Sequence, residues 1–288
     1  MTKTVDGFRP AHDFLMCIDS DGCAFDVMEL KHKECFCPAT VDAWDLQAVS
    51  RYAREAWDFV NLYSVYRGIN RFTALELVLE LLEQRREVKA LTGFTMPEHK
   101  RLKEWIESGE PLNHQSLERH QDIPELKKTL EWSLECNHRI KEMVRGVPPF
   151  PFVRESLEAL ALQADIVIVS ATSTEALMRE WEEHGLLPYV SAVCGQEAGS
   201  KADCIGRVKA DYASDRCLMI GDAPGDKAAA SDNGILFYPV LPLREAESWK
   251  QFYQQYLTAF ISGTYGGEAE DMVLAQFDQA LCKKPSWA

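Results

Sequence analysis

The chain has 288 residues, room for one large domain or for a core domain with a smaller companion at roughly 100–200 residues per domain. Hydrophobic residues make up 46% and charged residues 26%, which fits neither wholesale disorder nor a fibrous repeat. With 31 basic and 45 acidic residues the formal charge is −14, so nucleic acid and anionic lipid are repelled at long range and a polyanionic partner is not expected.

Nine cysteines are scattered without a C-x-x-C pair, and Cys35 and Cys37 stand closest together. Reduced, intracellular thiols are the expectation. The opening residues carry no apolar signal-peptide core, and no apolar run reaches the ~18–20 residues that span a bilayer. A soluble, cytoplasmic protein with no membrane partner follows, its oligomeric state left open.

The first predicted element is the apolar run Phe14 to Ile18, a buried parallel strand that delivers Asp19-Ser-Asp-Gly22 at its end. From about residue 40 to 145 the pattern is helix after helix. Thr73-Ala-Leu-Glu76 is expected to form a capping box, and Pro124 to open a helix that Gly146 can end. Pro148-Pro-Phe-Pro151 then breaks the helical run. Ile166 to Val169 is a second strand leaving through Ser170-Ala-Thr-Ser-Thr174, Cys217 to Ile220 a third leaving through Gly221-Asp222, and Ile235 to Val240 a fourth. Helices are expected over Glu175 to His184, Ala202 to Tyr212 and Gly225 to Ser231, with two more at about 244–262 and 268–282. This alternation predicts an α/β fold, a doubly wound Rossmann-like parallel sheet with an all-helical domain inserted after the first strand. The divisions are 1–30 and 147–240 for the sheet core, 31–146 for the insert and 241–288 for a helical extension packed on the core.

Two acidic pairs carry the chemistry. Asp19 and Asp21 follow the first strand, and Asp222 and Asp226 follow the third, so both pairs leave the sheet at strand C-terminal ends, where open α/β sheets place their sites. Alone, Asp19-Ser-Asp-Gly22 reads equally well as a solvated turn. Together they can converge on one hard cation such as Mg²⁺. Between them stand a hydroxyl at a strand end, Ser170, and a lysine at a helix start, Lys201.

In this order, Asp19-Ser-Asp-Gly, Ser170, Lys201 and Gly221-Asp-Ala-Pro-Gly-Asp226 resemble the four motifs of the haloacid dehalogenase-like (HAD) hydrolase superfamily. The resemblance covers roughly residues 13–30 and 150–240, and the helical insert corresponds in position to that superfamily's cap. It implies Asp19 as the nucleophile that forms an aspartyl-phosphate, and Asp21 as the acid and base. Mg²⁺ would be held by Asp19, the Asp21 backbone carbonyl and Asp222, with Asp226 a ligand or an orienter. Ser170 with the neighbouring N–H of Ala171, and Lys201, would bind the phosphate. Charge arithmetic supports the set, because a phosphate near each ionised carboxylate is repelled by about 4 kcal/mol per unit pair at ~4 Å and an effective dielectric of ~20. Mg²⁺ and Lys201 offset that repulsion.

The second acid, Asp21, separates phosphatases and phosphomutases from dehalogenases in that superfamily. The implied function is a Mg²⁺-dependent phosphatase hydrolysing a small phosphorylated metabolite. The alternatives are a phosphomutase of the same fold and a phosphate-ligand-binding protein without turnover. Cys23 departs from the usual Thr or Val and questions the turn hydrogen bond a Thr would make.

Other residues have sharp and bland readings side by side. Asp26, Lys31 and Lys33 are candidates for the substrate side of the cleft, against a helix cap and a solvated basic face. His138 is more simply a surface residue, and Cys35 and Cys37 lack zinc-ligand spacing and read as packing. Thr172 competes with Ser170 for the second motif, which Ser170 fills better by ending the apolar run. Gly195 to Lys201 has the wrong spacing for a nucleotide P-loop.

Overall fold

A computed structural model describes residues 5–288. Five strands form one parallel sheet, β1 (Phe14–Ile18), β2 (Ala164–Val169), β3 (Ala192–Cys194), β4 (Cys217–Gly221) and β5 (Leu236–Pro239), in the order β3-β2-β1-β4-β5. Every pairing is parallel, with Ile18 opposite Ile168 on one side and Ile220 on the other. β2 is buried along its whole length, as its unbroken apolar run requires of a strand covered on both faces. The expected sheet is therefore present, with one strand more than the sequence revealed. β3 has only three residues and lies between Ser191 and Gly195, too short for a periodic signal. It owes its conformation to pairing with β2, where Ser191 N–H donates to the Ile166 carbonyl at 2.7 Å and Ser170 N–H to the Cys194 carbonyl at 3.0 Å.

After β1 the chain builds toward β2 and β3, and afterwards toward β4 and β5. The connections diverge at the edge where β1 and β4 end, the place at which open parallel sheets bind their ligands. Thr174–Glu183, Lys201–Val208 and Pro224–Asp232 are the helices between successive strands.

The chain separates into two compact units, residues 5–28 with 146–281, and residues 29–145 with 282–288. The first holds the sheet and the C-terminal helices. Helix Glu268–Ala280 covers the β5 edge, where Glu270 Oε1 accepts the Phe237 N–H at 2.8 Å and Tyr265 O–H donates to the Phe237 carbonyl at 2.7 Å. These bonds occupy edge groups that would otherwise invite another strand. The expected helix at 244–262 runs as Glu245–Gln251, a π-helical turn Phe252–Tyr256, and Leu257–Ile261.

The second unit is helical among the described residues and packs around Trp44, Trp57, Phe72 and Trp132. Its helix Arg71–Gln84 is capped by Asn70, whose side chain accepts the Phe72 N–H at 2.9 Å. Thr73 therefore lies inside that helix and the anticipated capping box is not formed; the Asn three residues earlier takes the role, being better suited to an N-cap. The last seven residues leave the C-terminal extension and group with this unit. There Cys282 N–H donates to the Tyr63 carbonyl at 2.8 Å, and the Trp287 ring lies 4.5 Å from the Arg85 guanidinium. No described helix is long and apolar enough to cross a membrane.

At the N-terminal end of β2, buried Asp165 takes the N–H groups of Ala11 and His12, both at 2.9 Å, and the Tyr212 hydroxyl at 2.8 Å. Burial works to raise its pKa, but these donors outweigh it and hold the carboxyl below its ordinary value. Replacing Asp165 with Ala leaves three part-buried donors without their acceptor, and the expected loss is about 2 kcal/mol by urea unfolding at pH 7. Because the folded-state pKa is depressed, that difference persists above the ordinary carboxylate pKa of about 4 and shrinks as pH falls through the depressed value.

Candidate active site

The shared register places Asp19, Ser170 and Asp222 at one edge of the sheet, each just beyond the end of its strand. Asp19 N–H donates to the Ile220 carbonyl at 3.0 Å, tying the β1 exit to β4. The chain then turns sharply. Gly22 has φ +76°, a left-handed conformation that favours glycine, and its N–H donates to the Phe25 carbonyl at 2.9 Å. Cys23 is fully buried, and its thiol points at the Ile220 carbonyl with 3.6 Å between sulfur and oxygen. The thiol thus fills the place where a Thr hydroxyl would bond. Trp249 of the C-terminal extension donates its indole N–H to the Cys23 carbonyl at 2.7 Å.

Asp19, Asp222 and Asp226 are all buried, and one carboxylate oxygen from each lies within 4.8 Å of the others. Asp226 sits in the first turn of helix Pro224–Asp232, where its Oδ2 accepts the N–H groups of Asp222 at 3.2 Å and Ala223 at 3.0 Å. Its seat depends on Gly221, since a Cβ there would stand 2.4 Å from the Asp226 Cβ. Lys201 opens its helix behind a capping box made by Ser200 and Asp203. Its ammonium lies 2.9 Å from Asp19 Oδ2 and 2.5 Å from Asp226 Oδ1.

Three buried carboxylates against one ammonium leave two net negative charges. Burial pushes the Asp19 pKa up to about 6, with Lys201 pulling it down and Asp226 and Asp21 pushing it further up. Burial opposes the charge on Lys201 as well, but the attraction of Asp19 and Asp226 prevails and holds it above its ordinary value. An all-carboxylate donor set with excess negative charge suits a hard divalent cation.

Asp21 does not enter that carboxylate group among the described residues; its Oδ2 accepts the Thr172 hydroxyl at 2.8 Å. Its expected part in metal binding therefore rests on its backbone carbonyl. Ser170 is buried, its Oγ 3.4 Å from the Thr172 N–H, and Ala171 beside it is exposed. Asp26 is exposed in the sheet unit. Lys31 is buried in the helical unit, and Lys33 is paired there with Glu29 and bonded to the Tyr63 hydroxyl at 3.0 Å. His138 is a surface residue beside Glu142, and Cys35 and Cys37 are buried free thiols.

Several supports of the site carry no local sequence signal. Ser20, between the two acids, is fully buried; Trp181 Nε1 donates to its hydroxyl at 3.0 Å, and the hydroxyl donates to Glu180 at 3.1 Å. Gly195 is equally hidden in the sequence, yet a Cβ there would stand 2.5 Å from Thr174 N. No local pattern joins Ser20 to Trp181 or Cys23 to Trp249, because these contacts exist only once the sheet is assembled.

No family model matches the sequence, and no curated protein matches it. Among solved structures, the β-phosphoglucomutase of Clostridium difficile superposes with a TM-score of 0.51 at 12% identity, over 86% of this chain and 96% of that one. A protein provisionally named a phosphoglycolate phosphatase from Lactobacillus delbrueckii subsp. bulgaricus gives 0.50 at 14% identity, over 89% of this chain and 100% of that one. The chain has the fold of the haloacid dehalogenase-like hydrolases.

Replacing Lys201 with Met leaves the buried carboxylates without their cation, and the expected destabilisation at pH 7 without added metal is about 3 kcal/mol. A carboxyl with a raised folded-state pKa gains stability as it takes up a proton. The penalty therefore shrinks when urea unfolding is repeated at pH 5, below the value of about 6 for Asp19.

Proposed function

We propose that this chain is a Mg²⁺-dependent phosphatase that hydrolyses a small phosphate monoester through an aspartyl-phosphate on Asp19. The observation that carries the reading is the meeting of Asp19, Asp222, Asp226 and Lys201 at the sheet's chain-reversal edge, with a further carboxylate, Asp21, held beside them by Thr172. The formal charge of −14 speaks against nucleic acid and not against a small ester, since the site brings its own positive charge in Lys201.

Asp19, Asp222 and Asp226, with the Asp21 carbonyl, would hold Mg²⁺. The bound ion supplies charge neutralisation for a phosphate approaching three carboxylates. Asp19 supplies the attacking oxygen. The Ser170 hydroxyl, the Ala171 N–H and Lys201 bind the phosphoryl oxygens, so that donors stand ready where charge builds. Asp21 gives a proton to the leaving oxygen and then takes one from the water that cleaves the intermediate. In this reading the helical unit is the cap that selects the substrate, and Asp26 of the sheet unit and Lys31 and Lys33 of the helical unit are the proposed substrate-side residues.

The test is a panel of phosphate esters assayed with purified protein and Mg²⁺, following release of inorganic phosphate. Asp19→Asn is expected to lower turnover by at least about three orders of magnitude, and chelation by EDTA to abolish it reversibly. Full activity in Asp19→Asn overturns the reading. The same residues would serve a phosphomutase, which isomerises the ester without stoichiometric phosphate release and needs a bisphosphate activator. Tight binding of one ester with no turnover of any would instead mark a ligand-binding protein.

Mg²⁺ affinity, measured by calorimetry, should fall as pH drops below about 6, because a proton then competes for Asp19. Gly221→Ala, which displaces Asp226, should weaken Mg²⁺ binding about 10–100-fold at constant pH.

A further inference from the structure

Asp21 carries the proton in the proposed reaction, yet a carboxylate has two oxygens and can turn about its side-chain bonds. Something must fix which oxygen faces the reacting ester. The Thr172 hydroxyl donates to Asp21 Oδ2 at 2.8 Å. With Oδ2 accepting that bond, the proton to be delivered belongs on Oδ1.

Thr172 is itself held firmly. Its carbonyl accepts the Gln196 N–H at 2.9 Å. Two residues on, the Thr174 N–H and hydroxyl both donate to Glu197 Oε2, at 3.0 and 2.9 Å. Gly195 lets the two loops close, since a Cβ there would stand 2.9 Å from the Thr172 carbonyl oxygen. The helix beginning at Thr174 also grips Ser20, the residue before Asp21, through Trp181 and Glu180. Both neighbours in the first-strand loop are thus positioned by the segment that leaves β2. Threonine suits the task, because its branched Cβ restricts the side-chain rotamer that aims the hydroxyl.

We propose that Thr172 is a positioning residue for the reaction, holding the Asp21 carboxyl through Oδ2 so that its proton is presented from Oδ1. The proposal rests on the phosphatase reading above. In the first half-reaction an Asp19 oxygen bonds to phosphorus, the bond from phosphorus to the leaving oxygen breaks, and that oxygen takes the Asp21 proton. In the second, a water oxygen bonds to phosphorus and its proton passes to Asp21, while the Asp19–phosphorus bond breaks and phosphate departs. A strongly basic leaving group needs the first proton transfer, whereas a weakly basic one leaves without it.

The test compares wild type, Thr172→Val and Thr172→Ser on an alkyl ester, glycerol phosphate, and on p-nitrophenyl phosphate, whose leaving group is weakly basic. Thr172→Val is expected to lose about tenfold more kcat/KM on the alkyl ester than on the aryl ester, and Thr172→Ser to recover most of that difference. Equal losses on the two esters, or no loss, overturn the proposal, because a fault in phosphate binding or folding would affect both alike. Crystal structures of wild type and Thr172→Val supply a readout independent of turnover. A rotated Asp21 carboxyl in the variant supports the proposal, and an unmoved one overturns it. Wild-type protein that hydrolyses neither ester would count against the phosphatase reading, while the crystallographic comparison still decides whether Thr172 positions Asp21.

Discussion

The buried contact of Lys201 with Asp19 and Asp226 joins three parts of the chain that are far apart in sequence. Asp19 ends β1, Asp226 opens the helix after β4, and Lys201 opens the helix after β3. Two of these carboxylates, with Asp222 close by, would repel one another by about 4 kcal/mol per pair at ~4 Å and an effective dielectric of ~20. One ammonium reduces that repulsion without cancelling it. The residual negative charge suits a hard divalent cation, and burial, with Asp226 and Asp21 adding to it, pushes the Asp19 pKa up to about 6.

Around this ion cluster the fold spends its polar groups on holding loops still. The turn after β1 is fastened by backbone bonds from Gly22, Ala24 and Phe25, by Trp181 on Ser20, and by Trp249 on the Cys23 carbonyl. The last of these explains why the C-terminal extension belongs with the sheet. Besides covering the β5 edge through Glu270 and Tyr265, it reaches the loop that carries Asp19. The two indole N–H donors fasten the residues that flank Asp19 and Asp21 in this loop, at little entropic cost because each aromatic side chain is buried.

Much of the sheet was legible because its strands announce themselves. Phe14 to Ile18, Ile166 to Val169 and Cys217 to Ile220 are continuous apolar runs that end in Asp or Ser, and each became a strand exit at the site. β3 was not legible, because three residues cannot show periodicity and pairing with β2 supplied the missing information. The cap of helix Arg71–Gln84 lies three positions before the expected Thr73, at Asn70, because both residues satisfy local capping rules and Asn is the better N-cap. The destination of the last seven residues, in the helical unit, had no local signal at all.

The sequence by itself determined the chemistry available: two acidic pairs, a hydroxyl and a lysine, each beside a strand or helix boundary, because those boundaries are set by local apolar patterning and turn residues. Only the tertiary structure decided how that chemistry is divided. Register between β1 and β4 brought Asp19 to Asp222 and Asp226, and the reach of Thr172 across from β2 took the carboxylate of Asp21 to a separate hydrogen bond. The physical reason is that side-chain direction after a strand depends on hydrogen bonds to neighbouring strands and loops, which adjacent residues in the chain do not specify.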